Sequence, residues 1–269
     1  MHRHKNFRIA INAAIQAGKE ILKIYDTDFD VEKKSDNSPL TKADTASNNI
    51  IMEALKETGL PVLSEEGRNI PYHERKNWNE FWLVDPLDGT KEFIKKNGEF
   101  TVNIAMVKKT RPVMGIIYVP VLDTLYFGSL DDGAFKCENL CTPMPEKKNI
   151  SHLASISDPL PINYERKKYT VVASRSHLSE ETKAFIEELE TKHGEVEMIS
   201  RGSSLKLCMV AEGRADIYPR FAPTSEWDTA AGHAIVLSAG GIVTTADGKE
   251  ELGYNKADLL NPWFIVKRS

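Results

Sequence analysis

Phe7, Ala10, Ile11, Ala14, Ile21 and Tyr25 recur at three- and four-residue intervals, and that spacing predicts an opening amphipathic helix. A charged stretch from Asp26 to about Leu40 interrupts the pattern. Thr41 and Asp44 then have the spacing of a capping box, opening a second helix whose apolar face holds Ala43, Ile50 and Ala54. Gly59-Leu60-Pro61 ends it, and a short strand from Pro61 to Leu63 delivers Ser64-Glu65-Glu66. Phe81 to Val84 is a continuous apolar run, the signature of a strand buried on both faces. It leads directly into Asp85-Pro86-Leu87-Asp88-Gly89-Thr90.

Three β segments follow, Val102 to Lys108, Pro112 to Val119 and Thr124 to Gly128, separated by turn residues as in an antiparallel meander. Polar, proline-bearing sequence from Glu138 to about Tyr164 reads as a connector. Beyond it, strands and helices alternate. A strand is expected at Tyr169 to Ala173, and helices at Ser179 to Lys192 and Ser203 to Glu212. Strand Ala215 to Tyr218, helix Trp227 to Ala239 and strands Gly241 to Thr245 and Trp263 to Val266 complete the chain. The expected organisation is an α+β domain over residues 1–150 and an α/β domain over 151–269.

The 269 residues suffice for a sizeable core, and 41% hydrophobic and 28% charged residues are ordinary for a globular protein. A net charge of -4 makes no electrostatic case for a nucleic-acid polymer as partner. No apolar run reaches the roughly 18 residues of a membrane span. Cys137, Cys141 and Cys208 show neither zinc spacing nor a disulfide framework, which suggests a reducing cytosol. A peripheral place at the inner membrane and the oligomeric state stay open.

The chemistry lies in dispersed carboxylates. Glu65, Asp85, Asp88 and Asp228 each fall where a strand should end or a helix begin. Two carboxylates about 4 Å apart repel by roughly 4 kcal/mol at an effective dielectric of 20, so a cluster of them requires cations. Oxygen-only ligation favours Mg²⁺. Each residue also has a plainer reading. Pro-Leu-Asp-Gly is a good β-turn, Ser225 to Asp228 is a second capping box, and Asp44 is explained by the first. Glu65 and Glu66 suit a solvated loop, and Lys206 a solvated helix face. Helix donors at Gly89 and Thr90 beside two carboxylates nevertheless suit a metal-bound phosphate.

Taken together, Glu-Glu, Asp-Pro-x-Asp-Gly-Thr and Trp-Asp-x-x-Ala-Gly, with Thr-x-x-Asp upstream, resemble the inositol monophosphatase superfamily of Mg²⁺-dependent, lithium-sensitive phosphatases. Asp88 to Phe93, Pro223 to Asp228 and Ser174-Arg175-Ser176-His177 are similar to its bacterial 3'(2'),5'-bisphosphate nucleotidase branch. The resemblance implies a layered αβαβα sandwich with two to three Mg²⁺ ions per site. It assigns metal ligation to Glu65, Asp85, the Leu87 carbonyl, Asp88 and Asp228, and water activation to Asp44 and Thr90, with Glu65 assisting through a third ion. Substrate contacts would come from Glu65, Leu87, Asp88, Gly89, Thr90, Ser174, His177, Gly202, Ser203, Lys206, Arg220 and Asp228. The implied substrate is adenosine 3',5'-bisphosphate or its phosphosulfate analogue, and the implied place is the cytoplasm. Tyr218 to Ala222 lacks the carboxylate with which inositol monophosphatases bind ring hydroxyls. The alternatives are another sugar phosphatase of the superfamily and, more remotely, a non-catalytic metal- or nucleotide-binding regulator.

Overall fold

The computed structural model describes residues 2–27, 31–33, 39–139, 150–173 and 179–268. The chain opens with α1 (His2–Tyr25), a small antiparallel pair β1 (Val31–Lys33) and β2 (Pro39–Thr41), and α2 (Lys42–Leu55). Next come β3 (Val62–Ser64), α3 (Tyr72–Arg75), β4 (Glu80–Asp88) and the short α4 (Thr90–Ile94). The meander is β5 (Thr101–Lys108), β6 (Arg111–Val119), β7 (Thr124–Ser129) and β8 (Gly133–Glu138). It is followed by α5 (Ile150–Ser155), β9 (Asp158–Pro159), β10 (Tyr169–Ala173), α6 (Glu180–His193) and β11 (Val196–Ser200). The chain closes with α7 (Leu205–Glu212), β12 (Ile217–Arg220), α8 (Glu226–Ser238), β13 (Ile242–Thr245) and β14 (Phe264–Lys267).

Strands β3 to β9 form a seven-stranded sheet in sequence order, antiparallel except for the parallel β3–β4 pair. The five-stranded sheet has the order β11-β10-β12-β14-β13. Alternation along the large sheet builds two cores. Trp82, Val84, Ile104, Met106, Ile116 and Tyr118 point toward α1 and α2, whereas Phe81, Leu83, Ala105, Val107, Ile117 and Val119 point toward α7 and α8. Helix α6 covers the far face of the smaller sheet with Ile186 and Leu189. The layers therefore run helix, sheet, helix, sheet, helix.

Small residues let α8 lie close to the large sheet. A Cβ on Gly115 would fall 2.1 Å from the Ala231 carbonyl oxygen, so only glycine fits there. That close approach matters because α8 carries Asp228.

The polar stretch read as a connector contains α5 and the edge strand β9, which adds to β8. Strand β11 had no strong sequence signal either. It is a sheet edge with Glu197 and Met198 exposed, so its apolar pattern is weak.

Candidate active site

The register of the parallel pair β3–β4 aligns Ser64 with Val84. One residue on, the Glu65 amide donates to the Val84 carbonyl at 3.1 Å, which keeps the chain alongside β4 and brings Glu65 to Asp85. The pairing of β4 with β5 slips between Asp85 and Asp88, where Pro86 has no N–H to give. The irregularity turns both aspartates to the same end of the sheet. The strand thus runs through the expected turn and ends at Asp88. Gly89 follows with φ +93, and a Cβ there would meet the Glu99 carbonyl and Ser203 at 3.2 Å. Helix α4 has only five residues, so it presents amides at Gly89 and Thr90 with little helix dipole behind them.

Asp44 both closes a cap and reaches Thr90. Its Oδ2 accepts the Thr41 N–H at 2.8 Å and the Thr41 hydroxyl at 2.6 Å, completing the capping box of α2. Its Oδ1 accepts the Thr90 hydroxyl at 3.2 Å. Asp228 likewise closes the capping box of α8, taking the Ser225 N–H at 2.8 Å. Its other oxygen is then available to the cleft.

Glu65, Asp85 and Asp228 offer carboxylate oxygens that all lie within 4.8 Å of one another. Asp85 is 1% exposed, and its carboxyl is raised well above the usual range by burial, then by the charges of Glu65, Asp88, Asp228 and Asp44. Asp228 is pushed up to about 8 by burial and then by Asp88, against the Ser225 hydrogen bond. Such crowding holds protons until a cation replaces them. An all-oxygen donor set of this kind fits a hard divalent ion. Asp88 stands beside the triplet, and the Leu87 amide is folded back onto Asp85 Oδ1 at 3.1 Å.

A cavity of about 490 Å³ opens from Asp88 and Asp228 toward Lys206, Arg220 and Arg201. Lys206 is not the solvated helix lysine that its position alone allowed. It is 7% exposed, and its ammonium donates to the carbonyls of Ser203 at 2.7 Å and Arg201 at 3.3 Å. Burial, reinforced by Arg220 and opposed by Asp88, holds it down at about 8. The Gly202 amide is committed to Glu99 Oε2 at 2.8 Å, so it does not face the cavity as an open donor. Two buried polar atoms on this wall, Ser203 Oγ and Arg220 Nε, have no hydrogen-bond partner among the described residues. Buried groups of that kind are normally satisfied, by an ordered water or by a ligand. Ser174 and His177 lie outside the described residues.

Sequence reasoning missed Lys91, Lys95, Glu92 and Glu99 on the cavity rim, and Asn103 and Ser204 beneath Asp88. Lys91 and Glu92 directly follow the Asp-Gly-Thr turn, and Ser204 adjoins Gly202-Ser203, so proximity to the motifs was the available signal.

Comparison with known proteins identifies relatives of the whole chain. The sequence model of the inositol monophosphatase family matches residues 3–268. The 3'(2'),5'-bisphosphate nucleotidases CysQ of Shigella flexneri and Escherichia coli (strain K12) are 43% identical to this chain over 258 residues, covering 94% of it and 96% of their own length. The crystal structure of CysQ from Bacteroides thetaiotaomicron, described as a bacterial member of that family, superposes with a TM-score of 0.91 at 52% identity, covering 98% of this chain and 97% of that one. The inositol monophosphatase of Anabaena shares the fold, with a TM-score of 0.71 at 24% identity over all of this chain and 92% of that one.

Proposed function

The chain belongs to the inositol monophosphatase family, and on that premise we propose that it is a Mg²⁺-dependent 3'(2'),5'-bisphosphate nucleotidase. It removes the 3'-phosphate of adenosine 3',5'-bisphosphate, giving AMP and phosphate, and accepts the 5'-phosphosulfate analogue. The observation that carries the chemistry is the Thr90–Asp44 contact of 3.2 Å, beside three carboxylates whose oxygens lie within 4.8 Å of one another.

Glu65, Asp85 and Asp228 would hold the metal, with Asp88 and the Leu87 carbonyl at its margin. When bound, Mg²⁺ supplies charge neutralisation at the phosphoryl group and acidifies water. The protein's own part is positioning. The Thr90 hydroxyl donates to Asp44 Oδ1, so its lone pairs are turned outward to accept a hydrogen bond from an attacking water, whose proton would reach Thr90 as the hydroxyl's own proton passes to Asp44. The capping-box bonds to Oδ2 keep Asp44 from rotating away. The amides of Gly89 and Thr90 lie where phosphate oxygens would be held, and phosphoryl transfer needs little beyond such positioning and charge.

The cavity supports the choice of a nucleotide with two anionic groups. One end is carboxylate-rich and suited to metal-bound phosphate, and the other carries Lys206, Arg220 and the partnerless Ser203 hydroxyl. No carboxylate lies between Tyr218 and Ala222 to bind the hydroxyls of an inositol ring. Among the described residues no helix is long and apolar enough to cross a membrane.

The test is phosphate release by the purified chain from adenosine 3',5'-bisphosphate, inositol 1-phosphate and fructose 1,6-bisphosphate, with Mg²⁺ and with chelator. The bisphosphate nucleotide should be hydrolysed fastest, and only with metal. Preference for inositol 1-phosphate would replace the substrate, and metal-independent release would overturn the site.

A further inference from the structure

Asp88 Oδ2 receives three donors from outside its own strand. The Ser204 N–H reaches it at 2.6 Å, the Ser204 hydroxyl at 2.5 Å and Asn103 Nδ2 at 3.2 Å. A carboxylate oxygen has two lone pairs, so this oxygen is saturated and any cation would have to be met by Oδ1. Asn103 Nδ2 also donates to Ser204 Oγ at 2.8 Å, and the Thr101 hydroxyl donates to Asn103 Oδ1 at 2.9 Å. Ser204 Oγ also lies 2.8 Å from the Asp228 carbonyl oxygen. One side chain therefore touches the Asp88 carboxylate at the end of β4 and the backbone of Asp228 in α8.

We propose that Ser204 is a positioning residue that orients Asp88 toward the metal. The inference rests on the metal-site reading above. Its physical basis is selection of one oxygen and one rotamer. A carboxylate with an oxygen held by three donors has little torsional freedom, and the charge-assisted hydroxyl contact is the shortest of them. Ser204 is 1% exposed, so water cannot take over its role. Outer partners of metal ligands act in this way, and removing one typically weakens metal binding by 10- to 100-fold.

The experiment measures Mn²⁺ binding to the full chain by electron paramagnetic resonance, alongside the Mg²⁺ concentration for half-maximal phosphate release and the melting temperature without metal. Ser204→Ala is sterically mild, because the backbone there has φ −68 and ψ −5, and it keeps the N–H bond to Asp88. It should weaken Mn²⁺ binding about 10-fold and raise the Mg²⁺ requirement by a similar factor. Ser204→Thr, which keeps the hydroxyl, should recover most of the loss. In an Asp88→Asn background, Ser204→Ala should change Mn²⁺ binding by less than about twofold, because the group it orients is gone. Asn103→Ala provides a second route to the same effect, smaller and in the same direction, should the serine variant fold poorly. A lowered melting temperature with Mn²⁺ affinity unchanged would overturn the proposal and leave Ser204 as a structural pin. Failure of the unaltered chain to bind Mn²⁺ would instead sink the metal-site reading itself.

Discussion

Two buried carboxylates in this protein, Asp85 and Glu212, are almost equally sealed from water, at 1% and 2% exposure, and are treated in opposite ways. Glu212 accepts from the hydroxyls of Tyr164 at 2.5 Å and Tyr126 at 2.8 Å, from Lys136 Nζ at 2.9 Å and from Arg214 Nε at 3.0 Å. Burial works to raise its carboxyl, yet the bonds from Tyr164 and Lys136 and the Lys136 charge carry it below the usual value. Asp85 is raised by burial and then raised again by four other carboxylates. Burial alone does not decide ionisation; the partners do. Glu212 is a finished structural knot joining β7, β8 and the end of α7. In the proposed function a cation completes the Asp85 cluster, and that dependence would distinguish a working site from a structural one.

Exchanging the two residues for their amides tests the contrast most severely. Asp85→Asn should lower Mg²⁺-dependent phosphate release by more than about 100-fold, beyond the loss of an outer partner. It should leave the metal-free protein as stable as before, or more stable, since the neutral amide relieves the crowding that raises the carboxyl. Glu212→Gln should do the reverse, costing about 3–5 kcal/mol in denaturant unfolding while metal binding persists. Equal destabilisation by both would erase the distinction.

Thr90→Ala sharpens the contrast within the cleft. We expect kcat to fall by about 100-fold with the Mg²⁺-induced rise in melting temperature intact, because in the proposed mechanism the hydroxyl serves the attacking water. Loss of the metal-induced shift with kcat preserved at saturating metal would make Thr90 a structural cap. A smaller effect is expected at the cationic end. Lys206→Ala should lower kcat/KM for adenosine 3',5'-bisphosphate by about 10- to 100-fold, the worth of a charge-assisted bond to phosphate. Adenosine 3'-monophosphate, lacking the 5'-phosphate, should be nearly indifferent. Equal losses on both would assign Lys206 to holding the 201–203 turn that it caps.

Features governed by neighbouring residues were legible in the sequence. Both capping boxes, the doubly buried β4 and the meander emerge from short-range pattern, and Asp44 and Asp228 are placed by their caps. The αβαβα layering came from the resemblance and agrees with the two sheets observed. The partners that hold the site were not legible. Ser204 meets Asp88 across 116 residues of chain and Gly202 meets Glu99 across 103, and no local pattern encodes such contacts. The burial of Lys206 did leave a trace. Leu205, Leu207, Cys208, Met209 and Val210 surround it in sequence, and a helix apolar on every side is an interior helix, so its lysine cannot be solvated.

The most direct measurement of the central claim is the proton balance of metal binding. Asp228 rises from its ordinary 3.8 to about 8 and Asp85 rises as well, so the metal-free site carries protons at pH 7. For carboxyls shifted upward in the fold, the associated stability is complete below pH 3.8 and is lost as pH climbs through 8. The metal-free melting temperature should therefore decline across that window, and Mg²⁺ should offset the decline. Titrating Mg²⁺ into weakly buffered protein at pH 7 should release about one to two protons per chain. Asp228→Asn should reduce that number, and Glu212→Gln should leave it unchanged. Mg²⁺ binding with no proton release would contradict the account, because it would mean that these carboxylates were never crowded enough to need the cation.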